Sequence, residues 1–231
     1  SDLENTIKSE QRRWEISLGA SADVDAEVDW NIRDQLLAYH ALDGDISGVH
    51  AGRSVDASLE NGMPHFVDGR LGSAASFDGN RFINAGTSPN LDYIDEFSLA
   101  AWIYPTNDNG VIFSRAREGD QGEVGWGLYL EEGKLRLSMS TRVLDDGVAA
   151  ETANTLELNR WQHVLVTYDG SQATTGMRFY IDGEQREMNA LLDLVGNRLP
   201  QREPLRIGAS GSTKPNFQGQ MDEVRIYGKV L

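Results

Sequence analysis

The sequence contains no cysteine. Disulfides, thiolate zinc sites, cysteine nucleophiles and covalently attached c-type haem are therefore excluded from this chain. Proline is scarce as well, six residues against 24 glycines, so glycine and Asp-Gly pairs must mark most of the turns. No apolar run approaches the roughly 20 residues that span a bilayer, and no membrane insertion is expected. Basic residues are also few: 21 Lys and Arg stand against 36 Asp and Glu, for a net charge of −15. That balance disfavours partners gripped through phosphate, nucleic acid and anionic membrane surfaces alike. It favours cations, calcium with its preference for oxygen ligands first among them. A charge kept for solubility accounts for the same number. The chain opens at Ser1 with neither a basic n-region nor an apolar h-region, as either a cleaved leader or an excised domain would leave it.

The first 20 residues differ from the rest. Leu3, Ile7, Trp14 and Leu18 fall on one helical face, Ser1 and Glu4 fit a capping box, and Gly19 is a natural stop. The spacing predicts one amphipathic N-terminal helix, followed over residues 21–33 by an acidic stretch, "SADVDAEVDWNIR", that reads as an acidic linker or a second short helix. Residues 1–33 are thus expected to precede a separate domain at 34–231.

From residue 34 the pattern is one of short strands. "FSLAAWIYP" (97–105) alternates Phe97, Leu99, Ala101 and Ile103 against Ser98, Ala100, Trp102 and Tyr104. "GWGLYL" sends Trp126, Leu128 and Leu130 one way, and "KLRLSMS" does the same with Leu135, Leu137 and Met139. "WQHVLVTYDG" and "GMRFYIDGE" each close on Asp-Gly, a strong turn signal. Strands at this density, with helical signals confined to the N-terminus, predict an all-β fold: an antiparallel β-sandwich or jelly roll preceded by a helix.

Seven segments carry a family resemblance in their order along the chain: "GRLGSAASFDG", "FSLAAWIYP", "GVIFSR", "WQHVLVTYDGS", "FYIDGE", "PLRIGAS" and "FQGQMDEVRIYGKVL". Together, over roughly residues 34–231, they resemble the laminin-G-like, concanavalin A-like jelly-roll domain. With "WEISL" and "GWGLYLEEGKLRLSMS" the chain is similar to the version embedded in large exported bacterial proteins that also carry cytochrome c-like domains. The resemblance implies an exported (periplasmic, cell-surface or extracellular) location and a longer parent chain with neighbouring domains. Any electron transfer would belong to those other parts, since this chain holds no haem.

Catalytic patterns are sparse. A glycoside hydrolase needs two carboxylates across the scissile bond, and the retaining glucanases of this fold carry them on one strand as Glu-x-Asp-x-(x)-Glu. "EVDWN" (27–31) lacks the closing Glu, and "LDYIDEF" (91–97) lacks the leading one. The four histidines, His40, His50, His65 and His163, show no HExxH or HxH spacing, and "GASGS" is no G-x-S-x-G elbow. His163 reads as a structural residue, and Trp102 and Trp161 as core or sheet-packing residues rather than ligand platforms.

The expected function is non-catalytic binding of a glycan or a protein surface. A structural spacer that docks a neighbouring domain, and an unrecognised glycan-active enzyme, are the alternatives. The candidate ligand site is a concave face carrying Tyr129 between Gly125 and Gly127, with Arg136, Ser138, Arg178 and Tyr180. The candidate metal site is a structural calcium, which the resemblance also implies, at the sandwich edge. Its ligands would be Asp43 of "ALDG", Asp78 of "FDGN" and Asp222 of "QMDEVRIY", the last assigned by alternation to the side of Val224 and Ile226.

Overall fold

The computed structural model describes residues 33–63, 65–120, 122–142, 146–200 and 202–231. The expected helix over residues 1–20 lies outside the described residues, as does all but the last residue of the 21–33 segment. Residues 34–231 cluster as one compact unit. Among the described residues the only helical element is a 3₁₀ turn, Thr174–Gly176; the rest is strand and turn.

The chain begins with β1 (Leu36–His40), β2 (Gly48–His50), β3 (Arg53–Val55), β4 (Ser58–Glu60), β5 (Phe66–Asp68), β6 (Ser73–Asp78) and β7 (Phe82–Asn84). Longer strands follow: β8 (Glu96–Pro105), β9 (Gly110–Gly119), β10 (Gly122–Glu131), β11 (Lys134–Arg142) and β12 (Asp146–Thr152). β13 (Gln162–Asp169), β14 (Met177–Ile181), β15 (Glu184–Arg186), β16 (Met188–Leu194), β17 (Arg206–Ile207) and β18 (Gln218–Tyr227) complete the unit.

These strands form two antiparallel sheets, as a jelly roll requires. The front sheet runs β15-β14-β13-β8-β18-β1-β2-β3, with β6 also paired to β18 and β5 to β6. The back sheet runs β16-β12-β11-β10-β9-β17-β7-β4. The last strand therefore lies between β8 and β1, tying the two ends of the domain together through long-range pairing.

Alternation decides what fills the space between the sheets. Phe97, Leu99, Ala101 and Ile103 of β8 meet Val164, Val166 and Tyr168 of β13 and Met177, Phe179 and Ile181 of β14 in the core. The back sheet contributes Trp126, Leu128 and Leu130 of β10 with Leu135, Leu137 and Met139 of β11. These are the faces that the sequence pattern predicts. Period-two patterning holds here because each side chain lost from the core would forfeit about 1.5–3 kcal/mol of burial.

Turns follow the Asp-Gly signal. Asp182 and Gly183, the two residues between β14 and β15, both have positive φ, 53° and 81°. That is the type I′ geometry whose twist matches the flanking strands.

One strand departs from simple alternation. β18 carries a bulge between Asp222 and Arg225, with Glu223 at φ 57°. The extra residue inverts the phase. Met221, Val224 and Ile226 all enter the core, whereas Asp222 lies directly opposite Trp102, on the outer side of the sheet. The expectation that Asp222 shares a side with Val224 and Ile226 is thus corrected, and the bulge is the cause.

Candidate functional site

Residues that the sequence grouped into one ligand face are divided by the fold between the two sheets. Tyr129, Arg136 and Ser138 stand on β10 and β11 of the back sheet, Arg178 and Tyr180 on β14 of the front sheet. Each set faces outward, so the hydrophobic core separates them. The expected single groove does not form.

The back-sheet set is engaged internally. Tyr129 is 1% exposed, its ring lies under the Lys214 ammonium at 4.9 Å, and burial, followed by the charge of Glu123, holds its phenol well above the usual tyrosine range. Arg136 forks between Glu151, at 2.6 Å, and Glu131, while Lys134 also binds Glu151 and Lys214 binds Glu131. The flanking glycines leave no room for a flat ligand. A Cβ on Gly127 would land on the Tyr129 hydroxyl, and one on Gly125 on the Arg115 carbonyl. Glycine is required there by close approach within the protein.

On the front sheet Arg178 is tied down as well, its Nη1 donating to the carbonyls of Thr175 at 2.6 Å and Met177 at 2.7 Å. Tyr180, paired across from Leu165, lies on the same outer side as a second group of residues that the sequence reading placed in packing roles.

That group is a row of aromatic side chains. Trp102 of β8 pairs directly with His163 of β13, and their rings meet edge-on with centroids 5.2 Å apart. Trp161, just before β13, meets Tyr104 in the same manner at 5.8 Å. All four are half-buried. Alternation lifts them out of the core, because their strand neighbours Ile103 and Val164 point inward. Trp102, Trp161 and His163 line an open depression of about 470 Å³, together with Arg70, Arg160, Asp182 and Gly183.

Polar groups frame this depression. Asp182 Oδ1 accepts the His163 backbone N–H at 2.9 Å, and its Oδ2 accepts from Arg160 at 2.9 Å, with Glu157 on the other arm of that guanidinium. Arg70, on the loop between β5 and β6, holds its guanidinium over the Trp102 ring at 4.9 Å. Burial, helped by the charge of Arg225 and opposed by Asp182, lowers the pKa of His163. The ring therefore favours its neutral form. The sequence signal for this site was present. Trp102 and Tyr104 share the side of Ser98 rather than that of Phe97, and Trp161 shares a phase with His163.

The same loop reaches the acidic cluster. Asp222 is fully buried, and its Oδ2 accepts the backbone N–H groups of Arg70 at 2.9 Å and Leu71 at 2.8 Å. Its Oδ1 has no hydrogen-bond partner among the described residues. Desolvation first, then the charges of Glu223 and Asp43, raises its pKa to about 6. Asp43 accepts the Ser73 N–H at 2.6 Å, so Asp43 and Asp222 hold the two ends of one loop. Asp78 does not join them. It pairs with Gln218, four residues earlier on β18, and caps its own turn through the N–H groups of Asn80 and Arg81, both at 2.9 Å. Among the described residues no group of three or more His, Cys, Asp and Glu side chains is arranged to hold a metal.

Comparison with known proteins places this geometry in context. A binding domain of Paraclostridial Mosquitocidal Protein 1 superposes with TM-score 0.62 at 19% identity, over 85% of this chain and 49% of that one. Domain 4 of AbnA, a GH43 extracellular arabinanase from Geobacillus stearothermophilus, solved with arabinotriose, gives 0.54 at 17% identity, over 85% of this chain and 94% of that one. Among curated proteins, adhesion G-protein coupled receptor V1 of Danio rerio is 26% identical over 174 residues, 72% of this chain but 3% of the receptor. The laminin-G-type model of the concanavalin A-like lectin/glucanases superfamily matches residues 77–231. With two-thirds of its length matched by that model, and two antiparallel sheets packed as the match requires, the chain belongs to this superfamily.

Proposed function

We propose that this domain is a non-catalytic binding module for oligosaccharides, and that the sugar lies on the Trp102–Trp161–His163 surface. The observation that carries the reading is an open depression floored by aromatic rings and edged by Arg160 and Asp182. Aromatic faces stack on the apolar side of sugar rings while fixed polar groups orient the hydroxyls. The arabinotriose held by domain 4 of the arabinanase supports the same ligand class. Hydrolysis calls for two carboxylates across the bond. The depression is lined by one, Asp182, and Arg160 engages it.

Trp161→Ala is the most direct test, since Trp161 lies just before β13 whereas Trp102 stands within β8. In titrations of oligosaccharides selected on a glycan array, it should weaken binding by about 1–2 kcal/mol, roughly tenfold, with little change in melting temperature. Equal affinities would move the sugar elsewhere, and an array without hits would favour the spacer role.

A calcium ion near Asp222 belongs to the same proposal as a structural element. The donor chemistry fits at two of the three expected residues. Asp222 offers a buried carboxylate oxygen with no partner, and the charge of Asp43 acts on it. Calcium would take its remaining oxygens from carbonyls and water and neutralise the pair. Asp78 has no part in that set. The ion's contribution would be to hold the loop between β5 and β6 against β18.

A further inference from the structure

We propose that the sugar bound at this surface carries a carboxylate, and that Arg70 is the residue that reads it. The inference rests on the glycan reading above and adds the chemical class of the ligand. Two guanidiniums border the depression, and they differ in one respect. Arg160 is bridged at 2.9 Å to both Glu157 and Asp182. Arg70 makes neither a hydrogen bond nor an ion pair through its side chain with any described residue; its guanidinium lies over the face of Trp102. Five N–H donors in a fixed plane are thus presented at the edge of an aromatic platform.

The backbone beneath them is pinned. The N–H groups of Arg70 and Leu71 both bind the buried Asp222 carboxylate, and Ser73 is bound by Asp43. An arginine held by its backbone and stacked through its side chain loses little further freedom on binding. Its planar fork suits the two oxygens of a carboxylate. A neutral sugar would leave that fork hydrated, whereas a uronate would engage it while its ring rests on Trp102.

The charge of the whole domain narrows the class further. At −15 overall, the protein repels any densely charged polyanion that must lie along its surface. One free arginine beside aromatic rings suits a glycan with isolated carboxylates among neutral sugars.

The test uses a matched pair of probes, xylotetraose and xylotetraose bearing a single glucuronate, titrated calorimetrically into the full chain. The acidic probe should bind about tenfold more tightly, the scale of one charged, bidentate hydrogen-bond pair. Arg70→Gln should collapse that ratio to near one, and Arg70→Lys should leave it intermediate, since an ammonium lacks the fork. Arg70 is exposed, so both variants should fold, and unchanged melting curves would show it. If wild type binds both probes equally, the carboxylate inference fails while the glycan reading stands. If Trp161→Ala weakens neither probe, or neither is bound while a polyglutamate peptide is, the glycan reading fails and this inference with it. A sulfated probe preferred over the glucuronate would overturn the carboxylate assignment alone.

Discussion

Asp222→Asn should make chelator-treated protein more stable at pH 7.5, by about 3 kcal/mol, the equivalent of the two pH units by which burial raises this carboxyl. The sign follows from linkage. A carboxyl with pKa about 6 in the folded state and an ordinary value near 4 when unfolded keeps its proton longer in the folded protein. Its contribution is fully present below about pH 4 and is lost as pH rises through about 6. Asparagine has no charge to bury, and its amide oxygen still accepts from Arg70 and Leu71; its NH2 takes the partnerless place of Oδ1, which makes about 3 kcal/mol the upper bound of the gain. The difference between the two proteins should therefore vanish near pH 4 and reach its full size above about pH 6.5. The His40–His50 pair, with ring nitrogens 3.0 Å apart and His40 lowered to about 4 by burial, adds an acid lability of opposite slope. It is common to both proteins and cancels in the comparison. Saturating calcium should reverse the order. A ligand at a thousandfold its dissociation constant adds about 4.1 kcal/mol to wild type, more than the deficit of about 3 kcal/mol, and the asparagine variant loses that gain. Destabilisation of Asp222→Asn by the same amount in chelator and in calcium would refute both the uncompensated charge and the cation.

Arg115→Met should cost more, on the order of 3–5 kcal/mol, a large part of a total that is typically 5–15 kcal/mol. Arg115 pairs with Trp126 and, like it, points between the sheets, where it is 2% exposed. Its Nε donates to the Glu203 carbonyl at 2.7 Å, and its Nη1 to the Pro89 carbonyl and Asn90 Oδ1, both at 2.5 Å. One side chain thus satisfies the loop ahead of β8 and the loop ahead of β17. Methionine restores most of the volume and none of the donors, leaving buried carbonyls without partners. The measurement is a urea midpoint at constant m-value. Arg115→Lys should fall between, because it keeps the charge without the fork. A loss below about 1 kcal/mol, the ordinary size for a point substitution, would mean that water replaces the guanidinium.

Both residues show where a sequence stops being legible. "FSLAAWIYP", "GWGLYL" and "KLRLSMS" give their core faces directly, because a period of two is local and burial enforces it. Sheet membership is not local. That β11 and β14 occupy opposite sheets depends on pairings between residues far apart in the chain, so Arg136 and Tyr180 looked like neighbours. Arg115 sits at a core phase in "GVIFSR", yet the carbonyls that make its burial tolerable come from residues 26 and 88 positions away. Trp102 and Trp161 read as core or sheet packing, although alternation already sets Trp102 opposite Phe97 and Ile103. Of the acids, Asp43 and Asp222 do come together. Asp78 was grouped with them by its Asp-Gly context, which instead serves a local turn.

The bulge at Glu223 gives β18 two reading frames. Before it, odd positions such as Phe217 and Met221 face the core; after it, even positions such as Val224 and Ile226 do. Deleting Glu223 would remove the extra residue and leave Met221, Val224 and Ile226 inward in one plain alternation, at the cost of the carboxylate that binds Tyr39 and Arg225. A β18 grafted from a relative should therefore keep the core phase either with the bulge residue or one residue shorter at that point, whereas a one-residue change elsewhere in the strand would turn its core face outward.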